Sequence, residues 1–239
     1  YSFLNFQKKN LRGVKKVISP STSSKKDICR YFEYPSENIS VIWNGINLDD
    51  CKFHQREKFN SNFVTIISSD VPMKNLKTLL KALHLLKHEG LSANLTIIGD
   101  LREDNKKLIR NLGLTNEINY KSKLTRAELI QSLNHADIGI APSSYEGFGF
   151  PLVEMIATGL PVIVSDKASL PELAGSAGLI FNSEDSGDLK NKMKELIENH
   201  VLRNKLTENS KLRRDDFFGW DEYAKKLEDL YKEIIRGNI

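Results

Sequence analysis

Two carboxylates, Glu146 and Glu154, lie on either side of a short glycine-rich stretch, Gly147-Phe148-Gly149. Glycine lets backbone N–H groups come close to a ligand, and a helix that starts beside such a stretch presents the end of its dipole that attracts anions. The residue types and their order therefore predict a turn that binds a phosphate through backbone amides.

The segments around this stretch predict a strand before it and a helix after it. Residues 138–141 are an apolar run typical of a buried strand, and Pro151 suits the first turn of a helix through 153–157. Glu154 would then lie on a mostly apolar helix, and a partly buried carboxylate needs polar partners, such as the hydroxyls of a ligand. The alternatives are a Glu154 that only meets the helix dipole and a Glu146 that is an exposed loop acid.

Lys74 is a further candidate for contact with a phosphate. It follows an apolar run at 63–67 and precedes a helix that we expect to begin near Asn75. A lysine at a helix N-terminus is destabilised by the helix dipole, so the helix gives no reason for a solvated lysine at this position. A bound phosphate would give one, because it would stabilise the charge of the lysine. We therefore favour phosphate binding for Lys74 over a solvated surface role.

Other reactive side chains lack the partners that would complete a site. His84 and His88 have helical spacing but no third ligand nearby in the sequence, which indicates surface histidines. Cys29 and Cys51 show no metal-ligand spacing, and we expect free thiols. The sequence also lacks a G-x-G-x-x-G fingerprint. It therefore predicts neither a metal nor an organic cofactor.

Composition and charge indicate a globular chain without a strong polyanion-binding character. Of the 239 residues, 40% are hydrophobic and 28% charged, and the net charge is only +4. We interpret the basic clusters at 8–16 and 211–214 as solvated helix faces, with a weak contact to anionic lipid or a polyanion as the alternative. No apolar run approaches the length of a membrane span. Because the chain starts without Met, we expect a fragment of a longer protein.

Apolar runs and helical patterns alternate along most of the chain. Such alternation predicts an α/β fold, a Rossmann-like parallel sheet with helices on both faces. Ligands in such sheets bind beyond the carboxyl ends of the strands, so Lys74, Asp100, Glu146 and Glu154 are expected to share one rim. The predicted strands are 14–19, 39–42, 63–67, 95–100, 118–120, 138–141, 161–165 and 179–181, and the predicted helices are 25–32, 75–88, a helix through Leu112, 125–133, 153–157, 171–173, 186–198, 200–213 and 221–236.

Several of these motifs together resemble one family. Pro142-Ser143, the stretch from Glu146 to Gly149, Glu154, Gly159–Ile163 and Leu170–Glu172 are similar to the motifs of the glycosyl transferase group 1 family. The resemblance covers nearly the whole chain. It implies a retaining glycosyltransferase of the GT-B fold that uses a nucleotide-diphosphate sugar as donor substrate and serves polysaccharide biosynthesis.

The resemblance also implies a role for each candidate residue. Glu146 would contact the donor sugar and, with Lys74, carry the catalytic role, while Glu154 would bind the ribose hydroxyls. The remaining implied contacts to the donor come from the backbone, through the amides of Gly147, Phe148 and Gly149 at the diphosphate and groups near Lys121 and Ser122 at the base. In place of the arginine usual in this family, the chain has Ser69, and we ask whether Arg102 substitutes for it.

The same resemblance predicts how the chain divides. Residues 1–46 would be a remnant of the N-terminal, acceptor-side lobe, 47–62 a linker, 63–219 the nucleotide-sugar donor-binding lobe, and 220–239 a C-terminal helix that crosses back toward the N-terminal lobe. Because most of the acceptor lobe would be missing, we expect this chain alone to be inactive.

The predicted partners are a nucleotide sugar and, through the missing lobe, a glycan or lipid-linked acceptor. No nucleic acid is expected, a weak peripheral membrane contact stays open, and the predicted location is cytoplasmic, with the inner face of the membrane as the narrower option. Two alternatives stay open for the function. One is a non-catalytic nucleotide-sugar-binding or assembly module, and the other is a nucleotide-sugar epimerase or phosphorylase of GT-B architecture.

Overall fold

A computed structural model describes residues 8–11, 13–54, 56, 58–67 and 70–237. The chain divides into two compact units, one made of Tyr1–Asn47 with Phe217–Ile239 and the other of Leu48–Asp216. The strands are β1 (Val17–Ser19), β2 (Ile39–Val41), β3 (Asn62–Ile66), β4 (Asn94–Ile98), β5 (Ile118–Lys121), β6 (Ile138–Ala141), β7 (Val162–Ser165) and β8 (Gly178–Phe181). Residues 8–11 are helical. The α-helices whose bounds lie within the described residues are α1 (Thr22–Phe32), α2 (Leu76–His88), α3 (Glu103–Asn111), α4 (Arg126–Asn134), α5 (Phe150–Ala157), α6 (Leu170–Ala174), α7 (Ser186–Glu198), α8 (His200–Arg214) and α9 (Trp220–Ile235).

The first unit contains the parallel pair β1–β2 together with α1 and α9. Helix α1 begins three residues before the predicted Lys25, because Ser21 is the residue whose hydroxyl accepts the Ser24 N–H at 3.0 Å. The chain from α8 returns to this unit, where Ile46 donates its N–H to the Phe218 carbonyl at 2.9 Å. Segment 43–46 and the start of α9 are therefore joined by backbone hydrogen bonding.

The second unit is built on a six-stranded sheet in the order β5-β4-β3-β6-β7-β8, with every neighbouring pair parallel. Parallel neighbours need crossover connections, and helices supply them along this chain. The predicted α/β fold with a parallel sheet is confirmed. The central strands β6 and β7 are buried along their whole length, as a sheet covered on both faces requires.

The residues of β6 show how the two faces of the sheet are covered. Ile138 and Ile140 belong to one core with the predicted leucine stripe of α2, all of which is buried. Gly139, between them, points to the opposite face, where an added Cβ would lie 2.7 Å from Sδ of Met155 on α5. Helix α2 packs with α3 and α7, and α5 packs with α6 and α8.

Two glycines explain where the elements around the site begin and end. Gly99 ends β4 with φ 134°, and a Cβ there would lie 1.7 Å from the Ile67 carbonyl oxygen. Gly149 has φ 111° and precedes α5, so this helix begins at Phe150, three residues before the predicted Val153. Pro151 lies in its first turn as predicted. The predicted capping box at Thr125 is also present at the start of α4.

Candidate functional site

The order of the strands identifies one crevice in the second unit. From β3 the chain proceeds outward through β4 and β5, and it then returns to the other side of β3 with β6. Helices leave in opposite directions at such a reversal, so a crevice opens beyond the carboxyl ends of the two strands. The segments after β3 and β6 hold Lys74 and Glu146, respectively, at this point of the fold.

Lys74 and Glu146 form an ion pair across this crevice. Lys74 ends a short 3₁₀ helix, Pro72–Lys74, and its Nζ lies 2.6 Å from Oε1 of Glu146. Their side chains are only 13% and 18% exposed, and the Ser143 hydroxyl donates to the same carboxylate oxygen at 2.9 Å. The structure thus brings together the two residues that the sequence predicts to be catalytic.

Asn75 explains how Lys74 is held in this position. Its backbone is left-handed, with φ 52°, a conformation that asparagine tolerates better than most residues. Its side-chain amide donates to the carbonyls of Pro142 at 3.1 Å and Ser183 at 2.8 Å. The ends of β6 and β8 are therefore tied to the turn that carries Lys74.

Buried serines hold the loop after β6 from the other side. The Ser169 hydroxyl lies 2.9 Å from the Glu146 carbonyl and also contacts the Phe148 carbonyl. The Ser165 hydroxyl donates to the Ser143 carbonyl at 2.5 Å. Both hydroxyls belong to fully buried residues. The path of the glycine-rich stretch is thus fixed by side chains that lie outside the predicted motif.

The glycine-rich stretch leads directly into α5, as predicted. Within the described residues, the N–H groups of Phe148 and Gly149 donate to no backbone or side-chain acceptor. Amides of this kind at the start of a helix are suited to an anion. The amide contacts predicted for Phe148 and Gly149 are compatible with this geometry, and the contacts of all three amides, Gly147 included, stay predictions.

Glu154 has a cationic partner that the sequence analysis missed. Its carboxylate binds the guanidinium of Arg126, the first residue of α4, and the side chain of Glu154 is 17% exposed. Burial lowers the pKa of Arg126, but the hydrogen bond and charge of Glu154 outweigh burial and leave the pKa raised. Glu154 is therefore partly buried as expected, with an arginine as its partner inside the protein.

Cys51 and Asp50 complete the surroundings of Arg126. The guanidinium donates to Sγ of Cys51 and to Oδ2 of Asp50, each at 3.2 Å. Burial raises the pKa of the Cys51 thiol to about 11, so this thiol stays protonated near neutral pH. Cys51 and Cys29 are free thiols, as predicted.

Lys121 and Ser122, the predicted base contacts, lie at the end of the edge strand β5. The Lys121 carbonyl accepts the Gly99 N–H at 2.9 Å, and its ammonium group donates to the Ser132 hydroxyl at 3.1 Å. Among the described residues, neither Lys121 nor Ser122 has a hydrogen bond or ion pair with Lys74, Glu146 or Glu154. Their contact with a base stays a prediction.

Ser69, which stands where the family resemblance implies an arginine, lies outside the described residues. Asp70, next to it, is buried and accepts the Arg102 N–H at 2.7 Å and the side-chain amide of Asn105 at 2.6 Å. The guanidinium of Arg102 is exposed and lies 3.7 Å from Asp104. Arg102 thus contacts an aspartate of its own helix in this structure.

The described part of the chain contains no group of three histidine, cysteine or acidic side chains that could hold a metal ion. His84 is half-buried, with Nδ1 2.9 Å from the Leu112 carbonyl, and His88 is exposed. The surface interpretation is therefore correct for His88 and too simple for His84. Among the described helices, none is both long and apolar enough to cross a membrane.

The sheet is parallel, its strand order reverses at β3 and β6, and a glycine-rich turn after β6 leads into a helix. These features define a Rossmann-like α/β protein. Sequence comparison narrows this class, because the family described as glycosyl transferases group 1 matches residues 49–213. The chain belongs to this family.

Two relatives that are named as mannosyltransferases match almost the whole chain. The MMP α-(1→4)-mannosyltransferase of Mycolicibacterium hassiacum is 29% identical over 98% of this chain and 58% of that protein. The O-antigen chain mannosyltransferase B of Escherichia coli is 26% identical over 93% of this chain and 62% of that protein. The chain thus spans about three fifths of the length of these relatives.

Two solved structures share the fold. Sucrose-phosphate synthase from Thermosynechococcus elongatus superposes with a TM-score of 0.85 at 19% identity, over 99% of this chain and 62% of that chain. Anabaena Alr3699/HepE, solved with UDP and glucose, gives a TM-score of 0.84 at 19% identity, over 97% of this chain and 67% of that chain. These matches confirm the predicted Rossmann-like fold of the GT-B class.

Proposed function

We propose that this chain binds a nucleotide-diphosphate sugar and is the donor-binding part of a retaining glycosyltransferase. The ion pair between Lys74 and Glu146 is the observation that carries this proposal, because it lies at the crevice where parallel α/β sheets bind ligands. Family membership supports the reaction class. The mannosyltransferase names of two relatives make a nucleotide-diphosphate mannose the first donor to test.

The chemistry of such a transfer fits the charges at the crevice. The bond from the anomeric carbon to the diphosphate oxygen breaks, and its electron pair leaves with the diphosphate. An acceptor hydroxyl forms the new bond to the anomeric carbon and passes its proton to the departing diphosphate. Donors aimed at the leaving oxygen stabilise this charge, and loss of one such donor costs roughly 10²–10³ in rate. Lys74 has three N–H donors, so it can hold Glu146 and a phosphate oxygen together.

The remaining roles in this proposal are those that the family resemblance implies. Glu146 would meet the donor sugar, the amides of residues 147–149 the diphosphate, and Glu154 the ribose hydroxyls. Backbone groups near Lys121 and Ser122 would contact the base. No metal is required in this scheme, because Lys74 and the start of α5 supply positive potential.

The proposal also concerns the partners of the chain. Residues 1–46 and 220–239 would belong with an acceptor-side lobe, linked by 47–62 to the donor lobe at 63–219, and the acceptor would be a glycan or a lipid-linked glycan. Without that lobe the chain would bind the donor but would not transfer the sugar. A cytoplasmic location at the inner face of a membrane, with weak contact through the basic clusters, is part of the same proposal.

Calorimetric titration of the chain with UDP, GDP and ADP tests the proposal. We expect at least one of them to bind with a Kd below 1 mM, and the variant Glu154→Ala to weaken that binding about tenfold, because a hydrogen bond to a charged group contributes about 1.5 kcal/mol or more. If none of the three binds at millimolar concentration, the proposal is wrong.

A turnover assay separates this proposal from the two alternatives. Transfer of mannose or glucose from a nucleotide sugar to an acceptor, by a protein that carries both lobes, would refute a non-catalytic assembly module. Release of an epimerised sugar, or of sugar 1-phosphate on addition of phosphate, would indicate an epimerase or phosphorylase instead. The names of the relatives do not favour either alternative.

A further inference from the structure

Arg126 occupies a position that its own helix does not favour. It is the first residue of α4, directly after the capping residue Thr125. A cation at this end of a helix opposes the helix dipole, so α4 is not stabilised by it. The side chain is 35% exposed, and its guanidinium is directed to Glu154 on α5. Contacts of the guanidinium, including the one with Glu154, therefore have to account for this arginine.

Each nitrogen of the guanidinium has a different partner. Nη1 donates to Oε1 of Glu154, Nε lies 3.2 Å from Oδ2 of Asp50, and Nη2 lies 3.2 Å from Sγ of Cys51. A guanidinium is a rigid planar fork, so three contacts in different directions fix its orientation. The guanidinium in turn fixes the rotamer of the Glu154 side chain.

The contact with Arg126 leaves part of the Glu154 carboxylate available. Within the described residues, Oε1 binds Arg126 and Oε2 accepts no hydrogen bond. A carboxylate offers about four lone-pair directions, so hydroxyl groups can bind Oε2 while Arg126 still holds Oε1. An immobilised acceptor binds a ligand better than a free one, since less side-chain freedom is lost on binding.

We propose that Arg126 is a positioning residue for nucleotide recognition. It holds one oxygen of Glu154 and thereby directs the other to the ribose hydroxyls, so it sets the preference of the site for ribose over deoxyribose. This inference rests on the proposed function, in which Glu154 binds the ribose. A purely structural bridge between α4, α5 and segment 50–51 would affect all nucleotides equally, and this difference makes the two roles distinguishable.

The test measures ribose selectivity by calorimetric titration with UDP and GDP and with their 2′-deoxy and 3′-deoxy forms. We expect the unaltered chain to prefer at least one ribonucleotide about tenfold over a deoxy form. In Arg126→Met this preference should fall to about twofold, with the Kd of the deoxy form nearly unchanged. Lys87→Met is the control, because it also removes a cation that is paired with a carboxylate, Glu117 at 2.6 Å, and Lys87 lies at the other end of α2 from Lys74.

A double-mutant cycle tests whether Arg126 acts through Glu154. Glu154→Gln alone should reduce the preference for ribose, and addition of Arg126→Met should reduce it no further, since residues of one network are not additive. Should Arg126→Met fail to fold, Arg126→Lys keeps the charge but can reach fewer of the three partners, and an intermediate preference is expected. Circular dichroism and the melting temperature establish that each variant is folded.

Three results would overturn the proposal. Equal weakening of ribo- and deoxynucleotides by Arg126→Met would assign Arg126 a structural role, and an unchanged preference in Arg126→Met or Arg126→Lys would remove its role in recognition. Both results leave the proposed function standing. Failure of the unaltered chain to bind any nucleotide would overturn the proposed function and this inference together.

Discussion

Several cations near the two edges of the six-stranded sheet, at the amino and the carboxyl ends of its parallel strands, have different kinds of partner. At the amino edge, where several helices end, Arg203 donates to the carbonyls of Leu196 and Ile197. Arg213 donates to the carbonyls of Glu172 and Leu173 and also pairs with Asp216 at 2.6 Å. At the carboxyl edge, where the helices begin, Lys74 and Arg126 pair with carboxylates. The negative ends of the α6 and α7 dipoles thus each have a cationic partner within the protein.

Arg56 is a further arginine at the amino edge that donates to backbone carbonyls. Its guanidinium donates to the Leu133 and Ala136 carbonyls at the end of α4 and lies 3.3–3.4 Å from those of Thr158 and Gly159 after α5. Burial lowers the pKa of Arg56 to about 10, opposed by the charge of Asp137, so the group remains charged at neutral pH. With its donors committed to carbonyls, Arg56 has a structural role that Lys74 does not share.

Replacement of Arg56 should produce the largest effect, and the effect should be on stability. Arg56→Met leaves carbonyls at two helix ends without their charged donor, and we expect the free energy of unfolding to fall by about 3 kcal/mol, or roughly 6–12 °C in Tm. Nucleotide affinity of the folded protein should not change. Thermal melts with Lys58→Met as the control, an exposed neighbour, measure this, and an unchanged Tm would contradict the structural role.

Replacement of Lys74 should reduce nucleotide affinity much more than stability. Lys74→Met is expected to weaken UDP or GDP binding roughly 10- to 100-fold, because a charge-assisted contact to phosphate is lost. The free energy of unfolding should fall by only about 1 kcal/mol, since Ser143 still donates to Glu146. Lys190→Met is a matched control, because Lys190 is similarly buried, 16% exposed, and pairs with Glu89. Equal losses of affinity in both variants would refute the assignment of Lys74.

Two buried serines permit the smallest and sharpest comparison. The Ser169 hydroxyl donates to the Glu146 carbonyl in the loop after β6. The hydroxyl of Ser210, which lies on α8, donates to the Leu160 carbonyl at 2.7 Å. Ser169→Ala and Ser210→Ala should each cost about 1 kcal/mol of stability. Only Ser169→Ala should also weaken nucleotide binding, by about threefold, because it loosens the anion-binding turn. If the titrations show the same affinity for both variants, the serine at the carboxyl edge has no special role.

Much of the fold could be predicted because its signals are local. The leucine stripe of α2, the capping box at Thr125 and the apolar run of β6 each lie within one element, and each was confirmed. Helices α1 and α5 begin three residues before the predicted positions. Several serines compete for the capping position of α1, and Gly149 rather than a polar side chain precedes α5.

The residues of the candidate site likewise differ in whether local sequence signals could predict them. The sequence by itself determined that Lys74, Glu146 and Glu154 are polar residues at the ends of apolar strands or the start of a helix, and parallel sheet topology then requires them to lie at one edge. It did not indicate Arg56, Arg126 or Ser169. Their partners are distant in sequence, and backbone carbonyls, which every residue carries, leave no pattern. Only the tertiary structure decided that Arg56 contacts backbone carbonyls and that Arg126 contacts a carboxylate. The partner of each arginine depends on which helix ends and loops the fold brings next to it.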